Sequence, residues 1–128
     1  MTARGLLDTS VLIAQDVVPL PGLLAVSAIS VAELHFGVLV ARTADARALR
    51  LARLSRVQRR LAPLPVDEAV AESYGQIAAH VAAAGRQPRA RTMDLLIAAT
   101  AHAHGAVLYT RNADDFRGLE GFVEVVTA

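Results

Sequence analysis

Asp8, Glu33, Asp94 and Asp115, the last of them close to Asn112, are the side chains of this chain whose type and placement could do chemistry. Each also has a local use. Asp8 follows the apolar run Gly5-Leu6-Leu7 and precedes Thr9 and Ser10, where it could cap a helix. Glu33 stands three residues after Ser30, the spacing of a capping box. Asp94 falls in a first helical turn, where negative charge is favoured by about 0.3–1 kcal/mol, and Asp115 could cap the turn before Phe116. Gathered at one place they would do something else. Carboxylates about 5 Å apart repel by about 3 kcal/mol per pair at an effective dielectric near 20. A hard divalent cation relieves that crowding. Magnesium and manganese take oxygen ligands and retain waters, which suits them to hydrolysis of phosphodiesters.

The elements that must gather these acids alternate in type. Gly5 to Leu7 reads as a strand, and Leu23 to Ala28 as a second short buried strand or the end of a connection. Helices are expected from Ser30 to Ala41, from Ala44 to Leu61, from Asp67 to Ala84 with Gly85 as a left-handed stop, and from Asp94 to His104 before Gly105. Leu64-Pro65-Val66 reads as extended, Arg86 to Arg91 as a basic loop, and Ala106 to Tyr109 and Phe122 to Val126 as the last strands. Strands separated by helices predict an α/β fold with a mostly parallel sheet. Ligands of such sheets sit beyond the carboxyl ends of the strands. Asp8 and Asn112 both follow strands, Asp94 opens the helix feeding the later strand, and Glu33 reaches the same cleft from its own helix.

Composition narrows the chemistry. The 128 residues suffice for one domain, 1–128, and 54% hydrophobic residues supply a core. Without cysteine there is no disulfide scaffold, thiolate zinc site or cysteine nucleophile. All thirteen basic residues are arginine, which removes the lysine of a P-loop, of Schiff-base chemistry and of a phospho-receiver pocket. Aromatics at 4% argue against a base-stacking platform. Seven arginines against Asp45 give the segment Arg42–Arg60 a net +6, leaving −5 on the rest. That division suits an anionic partner beside a separate cation site, although a solvated helix face explains such charges equally well. Arginine at every third position precesses around a helix rather than lining one side. His102 and His104, two apart on a helix, diverge too far to share a metal, His35 and His80 read as packing or surface residues, and Tyr74 and Ile77 read as core. No apolar run fits a signal peptide or a membrane span, so a cytoplasmic protein is expected.

Four segments in order, Leu7-Asp8-Thr9-Ser10-Val11-Leu12, Ser30-Val31-Ala32-Glu33-Leu34, Asp94-Leu95-Leu96-Ile97-Ala98-Ala99 and Thr110-Arg111-Asn112-Ala113-Asp114-Asp115-Phe116, resemble the successive motifs of PIN-domain nucleases. Order, spacing and length are similar to those of VapC toxins of bacterial toxin–antitoxin pairs. The resemblance implies a three-layer α/β/α sandwich, a homodimer, and a toxic endoribonuclease dependent on Mg2+ or Mn2+. It implies catalysis and metal binding by Asp8, Glu33, Asp94 and Asp115, with Asn112, Thr9, Ser10 and Arg111 as accessory candidates. Asn112 stands where the family often has aspartate, and brings no charge. The implied partners are RNA and a VapB-type antitoxin, whose tail would lie near Leu39 and Leu54. The alternative is a non-catalytic module of the same fold that binds RNA or protein.

Overall fold

The first apolar run becomes the centre of a sheet. In the computed structural model, which describes residues 3–128, β1 (Arg4–Leu7) pairs in parallel with β2 (Leu23–Ser27) and with β4 (Val107–Thr110). Met1 and Thr2 of the expected domain lie outside the described residues. β3 (Pro63–Leu64) joins β2 and β5 (Val125–Thr127) joins β4, giving the all-parallel order β3-β2-β1-β4-β5. Pro63 costs this arrangement little, because β3 is an edge strand. The helices are α1 (Thr9–Ile13), α2 (Ala28–Leu39), α3 (Ala44–Arg60), α4 (Glu68–Ala83) and α5 (Thr92–Ala103). Among the described residues no helix is long and apolar enough to cross a membrane.

Side chains alternate across the strands and divide the core into layers. Leu6, Ala25 and Leu108 face α4 and α5, where Val70, Ile77 and Leu95 are fully buried. Leu7, Val26 and Tyr109 lie on the opposite side. Val11 of α1 packs with Leu7 and Tyr109, and Leu34 and Val38 of α2 close on Leu54 and Val57 of α3 around Val26. The α/β/α arrangement follows. Leu54, expected near a partner's tail, is therefore core at 3% exposure, whereas Leu39 is 72% exposed. A repeat of arginines leaves one apolar stripe on α3, and that stripe turns inward.

Boundaries differ from expectation where backbone partners decide them. α2 begins at Ala28 because Ser27, not Ser30, caps it: the Ile29 N–H donates to Ser27 Oγ at 3.0 Å. Phe122 and Val123 are excluded from the last strand because their N–H groups return to the Leu119 carbonyl at 2.9 and 3.0 Å. Gly85 and Gly105 do follow α4 and α5, at φ +82° and +60°, as left-handed stops.

Two glycines give opposite predictions. A Cβ on Gly5 would stand 2.7 Å from Tyr109 Cε2 and 3.0 Å from Leu24 Cδ2, so β1 carries glycine to admit the tyrosine ring. Gly75, inside α4, has nothing within 4 Å. Gly75→Ala should raise stability by about 1 kcal/mol, or roughly 3–6 °C in Tm, by removing backbone freedom from the unfolded chain. Gly5→Ala should lower it by about 1–3 kcal/mol through overpacking. Thermal unfolding followed by circular dichroism reads both.

Candidate active site

The candidate site lies at the carboxyl edge of the sheet, where the chain turns to opposite sides of β1. Asp8 leaves β1 there and is only 4% exposed. A buried carboxylate requires hydrogen bonds. Ser10 Oγ donates to Asp8 Oδ2 at 2.7 Å and Thr110 Oγ1 donates to the same oxygen at 2.8 Å. Each hydroxyl in turn accepts a backbone N–H at 3.0 Å, Ser10 from Arg111 and Thr110 from Asn112. Asp8 is thus oriented by hydroxyls that are themselves held by the turn after β4. Its helix-cap position carries no side-chain capping bond, and among the described residues Oδ1 accepts no protein hydrogen bond.

Glu33 is held differently. It is half-buried on the second turn of α2, and Thr9 Oγ1 approaches its Oε1 at 2.6 Å and Ser30 Oγ at 2.9 Å. Thr9 has one hydroxyl proton, and a carboxylate only accepts, so the proton goes to Glu33 and Ser30 donates to Thr9. The expected capping box of Ser30 and Glu33 is therefore absent. With Ser27 at the cap, Ser30 lies inside the helix, buried, and supports Thr9.

Asp94, in the first turn of α5, records the electrostatics of the whole arrangement. Its carboxyl is pushed up to about 6, first by burial, then by the charges of Asp115 and Asp8, with Glu33 adding to them; Arg91 acts in the opposite sense. The other three acids singled out in the sequence thus each lie within electrostatic reach of Asp94. Among the described residues no three His, Asp or Glu side chains converge tightly enough to be a ready-made metal site. The donor set is nevertheless all oxygen, and its unrelieved repulsion is of the kind that a hard divalent cation neutralises.

The other candidates divide. Asp115 is exposed in the short 3-10 helix Ala113–Phe116, and Asn112 precedes it, offering an uncharged carbonyl. Arg111 forms an ion pair with Asp16, its two terminal nitrogens lying 2.7 and 3.2 Å from the two carboxylate oxygens. His80 donates from Nε2 to the Gly118 carbonyl and His102 meets Ser73 through Nδ1, and both rings stand edge-on to Phe122. Those histidines are thus engaged in packing α4 and α5 against the segment 118–122. Sequence reasoning missed Thr110 as an orienting residue, and its only signal is a hydroxyl ending an apolar strand.

Comparison with known proteins identifies the family and the fold. The PIN domain matches residues 5–121. Ribonuclease VapC5 of Mycobacterium tuberculosis is 40% identical over 129 residues, spanning 96% of this chain and 93% of that protein. Ribonuclease VapC4 of the same organism is 38% identical over 102 residues, spanning 80% and 75%. Among solved structures, that of VapBC-5, a toxin–antitoxin system of Mycobacterium tuberculosis, superimposes with a TM-score of 0.84 at 41% identity, covering 98% of this chain and 97% of the other. FitAcB of Neisseria gonorrhoeae follows with a TM-score of 0.74 at 31% identity, covering 94% and 95%.

The raised Asp94 carboxyl gives a pH prediction for the protein in chelator. Protonated Asp94 contributes stability that is complete below the unfolded value near 3.8 and is lost as pH rises through about 6. Asp94→Asn removes the repelling charge. The variant should melt close to wild type at pH 4 and roughly 3 °C above it at pH 7.5. A gap that does not change across this range would contradict the crowding.

Proposed function

The chain belongs to the PIN-domain family, and from that membership we propose that it is a toxic endoribonuclease, the VapC-type member of a toxin–antitoxin pair. The observation that carries this reading is the buried Asp8 carboxylate at the edge of the sheet, held through Oδ2 by Ser10 and Thr110, near an Asp94 whose carboxyl is raised by burial and then by the charges of Asp115, Asp8 and Glu33. An all-acid site of this kind is suited to Mg2+ or Mn2+. Asp8, through its unused Oδ1, and Asp94 would hold the ion most directly, with Glu33 and Asp115 completing its surroundings. When bound, such a cation supplies Lewis-acid polarisation of a phosphodiester oxygen and a lowered pKa for water.

The residues of the chain do the rest. Thr9 fixes the rotamer of Glu33, which leaves a carboxylate oriented to position a water and take its proton during in-line attack on phosphorus. Ser10 and Thr110 keep Asp8 from turning when substrate arrives. Asp115 and Asn112 face the reaction from the β4 side. Asn112 orients water through its carbonyl and adds no charge.

The proposed partner is a VapB-type antitoxin. A groove of about 280 Å³ lies beside Glu33, with Thr9, Ile13 and Leu34 on its walls and Arg50 and Arg53 of α3 at its far side. Phe36 and Leu39 of α2 are 66% and 72% exposed, a place for apolar residues of the antitoxin tail. An arginine of that tail would fit carboxylate geometry and replace the charge of the cation.

Three outcomes are expected. Sequencing RNA ends after controlled expression should reveal new cleavage sites that are absent with Asp8→Ala, and unchanged ends would favour the non-catalytic alternative. Millimolar Mg2+ or Mn2+ should raise the Tm of wild type, and Asp94→Ala should lose most of that gain. Antitoxin-tail affinity should fall as metal concentration rises; affinity indifferent to metal and to Asp8→Asn would place the tail elsewhere.

A further inference from the structure

We propose that Asp16 is a positioning residue for Asp8: its ion pair with Arg111 clamps α1 to the turn after β4, and so holds the Ser10 hydroxyl on the Asp8 carboxylate. The inference deepens the ribonuclease reading and rests on it. Arg111 is attached to the segment after β1 at two places. Its backbone N–H donates to Ser10 Oγ, in the first turn of α1, at 3.0 Å. Its guanidinium reaches past the end of the same helix, where Nη1 and Nη2 donate to Asp16 Oδ1 and Oδ2 at 2.7 and 3.2 Å. Ser10 in turn donates its own proton to Asp8 Oδ2 at 2.7 Å. A continuous line of contacts therefore runs from Asp16 through Arg111 and Ser10 to Asp8.

The helix needs such a clamp. α1 has five residues, far fewer than a helix requires to persist on its own. Val11 is its one buried side chain, and Asp8 gives it no side-chain cap. Yet α1 carries both hydroxyls on which two of the acids depend, Ser10 for Asp8 and Thr9 for Glu33. An exposed ion pair adds little to global stability, so the value of this one is geometric. Guanidinium and carboxylate meet as two parallel hydrogen bonds, which fixes angle as well as distance between the turn after β4 and the exit of α1. Among the described residues it is the one salt bridge, and the Arg111 side chain is 34% exposed against 75% for Asp16. Removing the charge of Asp16 therefore leaves no cavity, and its effect falls on how firmly Ser10 is held. Small displacements of a catalytic group cost rate rather than fold.

The test compares the full chain with Asp16→Asn, which keeps the size of the side chain and removes its charge. With Mg2+ and a fluorescent single-stranded RNA pool of randomised sequence, kcat should fall roughly five-fold at unchanged KM. The loss is partial because Thr110 still holds Asp8. Asp16→Glu should recover part of kcat. Hydrogen exchange of the metal-free proteins gives a reading that needs no activity. The Arg111 amide should exchange roughly ten-fold faster in Asp16→Asn, while the Leu108 amide, bonded to the Glu124 carbonyl, keeps its rate. Salt at about 1 M should move the wild-type Arg111 amide toward the rate of the variant by screening the pair. An unchanged kcat or an unchanged Arg111 rate overturns the proposal. So does equal acceleration of Leu108, which would make the pair merely structural, and so does a change in KM alone, which would make Asp16 an RNA contact. Where Asp16→Asn does not fold, the salt series on wild type decides, and an Arg111 amide indifferent to salt overturns the clamp. The nuclease reading fails separately, when wild type leaves RNA uncut, and the exchange comparison still decides whether Asp16 holds the turn on Ser10.

Discussion

A carboxylate buried at the end of a central strand must be hydrogen-bonded, and the structure meets that demand for Asp8 with two hydroxyls from distant parts of the chain. The arrangement depends on register. Leu7 pairs with Tyr109, so the next residues, Asp8 and Thr110, come side by side at the edge of the sheet. A slip of one residue would send Thr110 to the other face and leave the acid unsupported. Gly5 protects that register, because Tyr109 packs where a side chain on β1 would otherwise stand. The apolar core therefore sets the geometry of the polar site through the pairing of two short strands.

Much of this is visible in the sequence, for identifiable reasons. Asp8 interrupts an apolar run, Asp94 opens a long alanine-rich helix, and the alternation of strands and helices restricts the sheet to a parallel plan. Those signals are local and strong. Ser30 misleads because a capping box is also local: Ser-Val-Ala-Glu fits the pattern, but the strand ends at Ser27, whose hydroxyl caps the helix first. Leu54 misleads because precessing arginines conceal the narrow stripe that α3 turns toward α2. Thr110 is silent for a third reason. Its bond to Asp8 spans 102 residues, and nothing in the neighbourhood of a strand-ending threonine announces such a partner.

Charge is distributed so that the two signs do not cancel one another. Arg111, the arginine nearest to the hydroxyls around Asp8, is occupied by Asp16 on the loop after α1. The arginines of α3 are mostly exposed, and of the two half-buried ones, Arg50 and Arg53, Arg50 donates to a backbone carbonyl rather than to an acid. The carboxyl of Asp94 consequently stays raised, by burial first and then by the charges of Asp115, Asp8 and Glu33. A site that had collapsed into internal ion pairs would have no affinity left for a cation.

The 102-residue separation of Asp8 and Thr110 also orders events during translation. α1, α2 and Glu33 leave the ribosome early and can pack against β1 and β2, but the hydroxyl that completes the support of Asp8 belongs to the last fifth of the chain, with Asp115 a little later. Long-range parallel pairing is slow and waits for both strands. A nascent chain therefore carries Asp8 without its full set of hydrogen bonds until β4 has emerged and docked on β1. The support of Asp8 is therefore complete only once β4 has docked on β1.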